Sequence, residues 1–148
     1  MRISGKINYE THKYLESNIK VGVTTKYLND EADKFIREHG GIPGFLNYEG
    51  FPASICVSVN EEIVHGIPSK ARVLKDGDIV SLDAGVIYKG YHSDAARTYG
   101  VGNISKEAAK LIEVTRQSFF EGIKFAKEGC HLYEISNAIA QYNESFGY

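Results

Sequence analysis

The order of elements predicts an α+β fold with an antiparallel sheet: two helical segments, several strand-like runs, then two more helical segments. Apolar residues recur at helical spacing near both ends of the chain, while its middle alternates around β-branched residues. Within residues 1–20, Ile3, Ile7, Leu15 and Ile19 fall on one helical face, and no N-cap precedes them. Thr24 or Thr25 can cap a second helix carrying Leu28, Ala32, Phe35 and Ile36, which Gly40-Gly41 and Pro43 end. Ser54–Asn60 and Asp78–Tyr88 read as strands. Tyr91–Tyr99 can return antiparallel to the latter through a turn at Lys89-Gly90. Ser105 is a good N-cap for a third helix through Leu111, Ile112, Thr115, Phe119 and Ile123, with its stop at Gly129. Leu132, Ile135, Ile139, Tyr142 and Phe146 mark a fourth.

Composition removes several functional classes. The 148 residues suffice for one domain with a hydrophobic core. A net charge of −2 offers no cationic excess to neutralise a phosphate backbone, so nucleic acid has no electrostatic claim on this chain. No apolar run approaches the roughly 20 residues of a bilayer span. The opening MRISGKINYETHKYL lacks the apolar core of a signal peptide. Cys56 and Cys130 are too few for a disulfide framework and point to a reducing cytoplasm.

The residues that can do chemistry cluster in the middle. Asp83 lies inside DIVSLDAGV, where a buried carboxylate is costly without a partner. Asp94 follows in YHSDAA, and a turn at Lys89-Gly90 returns it to within a residue or two of Asp83 on the adjacent strand. Carboxylates that close repel unless a proton or cation lies between them, and a divalent metal supplies that charge. Asp83 equally suits a structural acid bonded to buried backbone or hydroxyl groups, and Asp94 alone reads as a turn or surface acid. His65, in EEIVHGIP, falls at a strand end or loop; it is either a donor or acid–base group near neutral pH or a half-buried ring satisfied by backbone. His92 shares the Asp94 face of its strand. His12, His39 and His131 read as helix-surface residues. Cys56 suits a small buried hydrophobe, and the aromatic loop around Phe45, Tyr48 and Phe51 suits an apolar pocket wall or ordinary loop packing.

YEGFPASICVSVNEEIVHGIP and LKDGDIVSLDAGVIYKGYHSDAARTY, the segments from Tyr48 to Pro68 and from Leu74 to Tyr99, closely resemble the type I methionine aminopeptidases of the M24 peptidase family, several motifs agreeing in order and spacing. The resemblance implies a pita-bread fold, two pseudo-symmetric α+β halves around a dinuclear metal site, and removal of the N-terminal methionine from nascent proteins in the cytoplasm. It implies two divalent metal ions per complete site, drawn from cobalt, manganese, iron, zinc or nickel. Asp83 would bind one metal through both oxygens and Asp94 would bridge the pair. The catalytic residue it implies is His65, which would contact substrate. Phe45, Tyr48, Phe51 and Cys56 would form the pocket for the methionine side chain, and Asn60 and Glu62 would help hold a monovalent cation through backbone groups.

The family's histidine ligand and both glutamate ligands match no residue here; by resemblance they fall after the position of Tyr148. The expectation is a truncated, incomplete domain over 1–148, inactive by itself, with 1–103 a first half-fold and 104–148 the first helices of a second. Two other readings stay open. One is a non-catalytic module whose uncovered helices dock on a partner chain or on a copy of itself. The other is an M24 relative acting on proline-containing peptides, against which the apolar loop Tyr48–Phe51 and the type I spacing both weigh.

Overall fold

The computed structural model describes all residues, 1–148. It has two compact units, Met1–Ile104 and Ser105–Tyr148. The first holds helices α1 (Arg2–Asn18) and α2 (Thr25–Glu38), strands β1 (Ile42–Pro43), β2 (Ile55–Val59), β3 (Ile79–Tyr88) and β4 (Tyr91–Gly100), and a 3₁₀ turn at Tyr48–Gly50. The second holds α3 (Lys106–Ile123) and α4 (Leu132–Ser145). The α+β class and the antiparallel sheet expected from the sequence are both present.

Strand β3 organises the sheet. One edge pairs with β2 and then β1, and the other pairs with β4 along all ten rungs, all antiparallel. Lys89 (φ 49°) and Gly90 (φ 81°) both take left-handed backbone. Two such residues match the right-handed twist of the flanking strands, so the hairpin closes tightly and its register is set. Alternation then sorts β3 by face. Val80, Leu82, Ala84 and Val86 have no exposed surface. The first three join Leu15 of α1, Leu28 and Ala32 of α2, and Ile55, Val57 and Val59 of β2 in one core, while Val86 packs with Ile7 and Ile36. The other face of β3 carries Ser81, Asp83, Gly85 and Ile87.

Local signals explain the helix ends. Thr24 caps α2, its hydroxyl accepting from the Tyr27 N–H, and Ser105 caps α3 in the same way through Ala108. Glu134 closes the start of α4 by accepting from the His131 N–H. Three expectations need correction. Ile3 is 55% exposed, so the apolar stripe of α1 is narrower than its sequence period suggests. His12, expected at the surface, is fully buried beneath the sheet. Helix α3 ends at Ile123 and not at Gly129, because the Phe125 and Ala126 N–H groups close tighter i→i+3 turns on Gly122 and Ile123. No helix is long and apolar enough to cross a membrane.

Candidate metal centre

The hairpin register decides where the two aspartates meet. Gly85 pairs with Asp94 and Asp83 pairs with Ala96, so the acids are diagonal neighbours on the face of the sheet away from α1 and α2. Across the other edge, Asp83 pairs with Cys56 of β2. Asp94 is exposed, whereas Asp83 is half-buried with its Oδ1 out of solvent and without a hydrogen-bond partner. No lysine, arginine or histidine forms an ion pair with either carboxylate.

That arrangement is electrostatically unfinished. Burial raises the Asp83 pKa, and the Asp94 charge and donation of the Asp83 proton to the Asp94 carboxylate raise it further, to about 6. The charge of His65 pulls it the other way. Cys56 is pushed up to about 11 by burial and then by the two aspartates. Its thiol is therefore neutral at physiological pH and acts as packing, not as a nucleophile. A divalent cation would satisfy the orphaned oxygen and cancel the carboxylate repulsion together, and hard oxygen donors suit such an ion. The residues fit the group, yet they are only part of a coordination shell. No set of three or more His, Cys, Asp or Glu side chains in these 148 residues is placed to hold a metal.

Two glycines bring the neighbouring groups in. Gly66 runs so close to β2 that an added Cβ would lie 2.3 Å from the Val57 carbonyl oxygen. It donates to Ser58 Oγ at 3.1 Å and accepts from the Val57 N–H at 2.9 Å, which ties the left-handed His65 (φ 58°) alongside the strand. A Cβ on Gly85 would fall 2.6 Å from the Phe45 ring, so the missing side chain at 85 is the space that Phe45 fills. Phe45 thereby lies over the backbone between the two acids.

The other predicted residues are less closely gathered. The loop after Phe45 is built on left-handed Asn47, Glu49 and Gly50, and the Asn47 N–H is bound to the Phe51 carbonyl. Phe51 is half-buried there, and Tyr48 is 66% exposed. Asn60 and Glu62 lie at the far end of β2. The Asn60 amide donates to Asp78 and accepts from the Ile79 N–H, and the Glu62 carboxylate accepts from the Val59 N–H. Their side chains are thus committed to the turn. The cleft nearest to them, about 380 Å³ and lined by Asn60, Glu61, Arg72, Lys75 and Asp78 among others, is at the Ile79 end of β3, away from Asp83. His92 pairs with Ile87 and shares the Asp94 face.

Sequence reasoning missed Gly85 and Gly66 as shaping residues, although a glycine inside a strand run is a signal of close approach. It also missed strand β1, two residues long, and the buried polar row of α1.

Comparison with known proteins gives four likenesses. A profile of metallopeptidase family M24 matches residues 1–148. A methionine aminopeptidase of Clostridium acetobutylicum is 56% identical over 148 residues, which is 100% of this chain and 59% of that protein. The crystal structure of methionine aminopeptidase from Rickettsia prowazekii superposes with a TM-score of 0.96 at 41% identity, covering 99% of this chain and 59% of that one. An Xaa-Pro dipeptidase from Bacillus anthracis is more distant, at a TM-score of 0.84 and 26% identity over 98% of this chain and 39% of its own. The chain thus spans 59% of the length of the two methionine aminopeptidases it matches. Their likeness extends along the whole sheet and helices, which take the pita-bread fold as far as these residues reach.

Proposed function

Because the chain belongs to metallopeptidase family M24, we propose that it forms the aspartate-bearing part of a methionine aminopeptidase, which hydrolyses the peptide bond after an N-terminal methionine. The observation that carries this is the Asp83–Asp94 pair, two converging carboxylates with one buried oxygen left bare. Identity of 56% to a methionine aminopeptidase, against 26% to an Xaa-Pro dipeptidase, favours methionine over proline as the substrate class.

Asp83 and Asp94 would hold divalent metal, two ions in a complete site, with cobalt, manganese, iron, zinc and nickel all compatible with the donors. A divalent ion there supplies Lewis acidity at the scissile carbonyl and lowers the pKa of the attacking water. His65 would donate to the carbonyl oxygen of the scissile bond and steady the charge that develops on it. Phe45, Phe51 and Cys56, with Tyr48 at the solvent side, would wall the methionine side chain, and the neutral thiol of Cys56 suits that apolar role. Asn60 and Glu62 would serve a monovalent cation through backbone groups, since their side chains are already engaged. Action on nascent polypeptides would take place in the cytoplasm, where thiols such as Cys56 and Cys130 stay reduced.

Two aspartates hold a hard divalent ion weakly. The isolated chain is therefore expected to release little or no methionine from a Met-Ala peptide, whichever metal is added. The positive test is a chimera in which this chain replaces the matching residues of the Clostridium acetobutylicum relative. It should release methionine, and Asp83→Ala in the chimera should abolish release. A folded chimera that binds metal but leaves the peptide intact contradicts the proposal.

A second reading has one observation behind it. Phe119 (54% exposed), Ile123 (49%) and Leu132 (83%) present apolar surface on and beside α3 and α4. Such surface suits association with a second copy. Sedimentation of the pure chain as a monomer at micromolar concentration dismisses it.

A further inference from the structure

Behind the aspartates, α1 presents a polar row to the sheet. Ser4, Asn8 and His12 recur every four residues and are all buried, beside Ile7 and Leu15. Ser4 Oγ donates to the Val86 carbonyl at 2.7 Å and lies 2.8 Å from Ser93 Oγ. The Asn8 amide donates to the Ala84 carbonyl at 2.8 Å. His12 Nε2 lies 2.9 Å from the Ala95 carbonyl oxygen. A carbonyl only accepts, so this partner assigns the ring proton to Nε2. Burial lowers the His12 pKa, which leaves Nδ1 a bare acceptor.

The carbonyls chosen are informative. Ala84 and Ala95 pair directly across β3 and β4. Ala84 follows Asp83, and Ala95 follows Asp94. Each aspartate is therefore anchored, one residue on, from the helix behind it. Stability does not account for this arrangement. Asn8 Oδ1 and His12 Nδ1 are both buried without a donor, and orphaned acceptors cost stability that leucines packed in the same place would not.

We propose that Asn8 and His12 are positioning residues for the metal centre: their N–H groups fix the carbonyls after Asp83 and Asp94, so that the two carboxylates converge on one cation. This rests on the metal-holding role proposed above. Outer contacts of this kind tune metal ligands in proteins generally.

The test uses the 148-residue chain and Mn²⁺ alone, with paramagnetic broadening of the Gly85 and Ala96 amide signals as the readout and the melting temperature measured beside it. In the wild-type chain Mn²⁺ broadens these signals, and Asp83→Asn removes the effect. Asn8→Leu and His12→Leu should each weaken Mn²⁺ binding by roughly tenfold while melting at or above the wild-type temperature. His12→Gln, whose amide can still donate to Ala95, should keep wild-type binding. Asn8→Leu decides the matter should His12→Leu fail to fold. Unchanged Mn²⁺ binding in folded leucine variants overturns the positioning role and leaves the metal site intact. Equal loss in His12→Gln and His12→Leu also overturns it, because the donor is then irrelevant. Absence of site-specific broadening in the wild-type chain defeats the metal reading itself, and this proposal with it.

Discussion

The two faces of β3 are unlike. On one face, Val80, Leu82, Ala84 and Val86 are sealed beneath two helices. On the other, Ser81, Asp83 and Gly85 meet a thiol, a histidine loop and one aromatic ring. The first face is finished: its apolar surface is covered. The second is not, because a carboxylate oxygen is buried there with nothing to bind. Folding energy and chemistry are thus carried by alternate residues of one strand.

The comparison is broken most severely from the covered face. Leu28→Ala should cost about 2–5 kcal/mol in urea unfolding, since Leu28 has no exposed surface and packs in the main core. Gly66→Ala attacks the other side through the backbone. Its Cβ would meet the Val57 carbonyl at 2.3 Å, so the loop must move, at about 1–3 kcal/mol. Thermal melting reads that loss, and displacement of the His65 ring signals accompanies it.

The open face makes its own pH dependence. Asp83 has its pKa raised from an ordinary 3.8 to about 6 in the folded, metal-free chain. The folded state then holds the proton more tightly than the unfolded one. This contribution is complete below about pH 4 and is lost as pH rises through about 6, so the metal-free chain should weaken across that interval. After discounting for partial exposure, the loss should be on the order of 1 kcal/mol. Asp83→Asn should flatten the profile, and saturating Mn²⁺ should reverse it; denaturation at several pH values checks both. Smallest of all, Thr98→Ala removes the 2.7 Å contact with Ser81 Oγ on the open face and should cost about 0.5–1 kcal/mol in the same assay.

Much of this contrast is visible in the residues themselves. An aspartate in the middle of DIVSLDAGV, a turn at Lys89-Gly90 and a second acid six residues past Tyr88 are enough to place two carboxylates on one face. Helix caps at Thr24 and Ser105 are equally legible, because they depend on neighbours three residues away. What was hidden is long-range. His12 looks like a surface histidine within α1, and only its bond to Ala95, 83 positions later, shows why it is buried. Gly66 needs the approach of β2 to explain it, and Gly85 needs Phe45. Gly129 suggests a later end for α3 than Ile123, where turns closed by backbone bonds to Gly122 and Ile123 stop the helix, and nothing in the side chains signals those turns.

The central claim is that Asp83 and Asp94 share a cation. The most direct measurement is titration of the metal-free chain with Mn²⁺, followed by water-proton relaxation, beside Asp83→Ala and Asp94→Ala. The account predicts weak, saturable binding in the wild-type chain that either substitution abolishes. Binding unchanged in both variants, or none in the wild type, contradicts it.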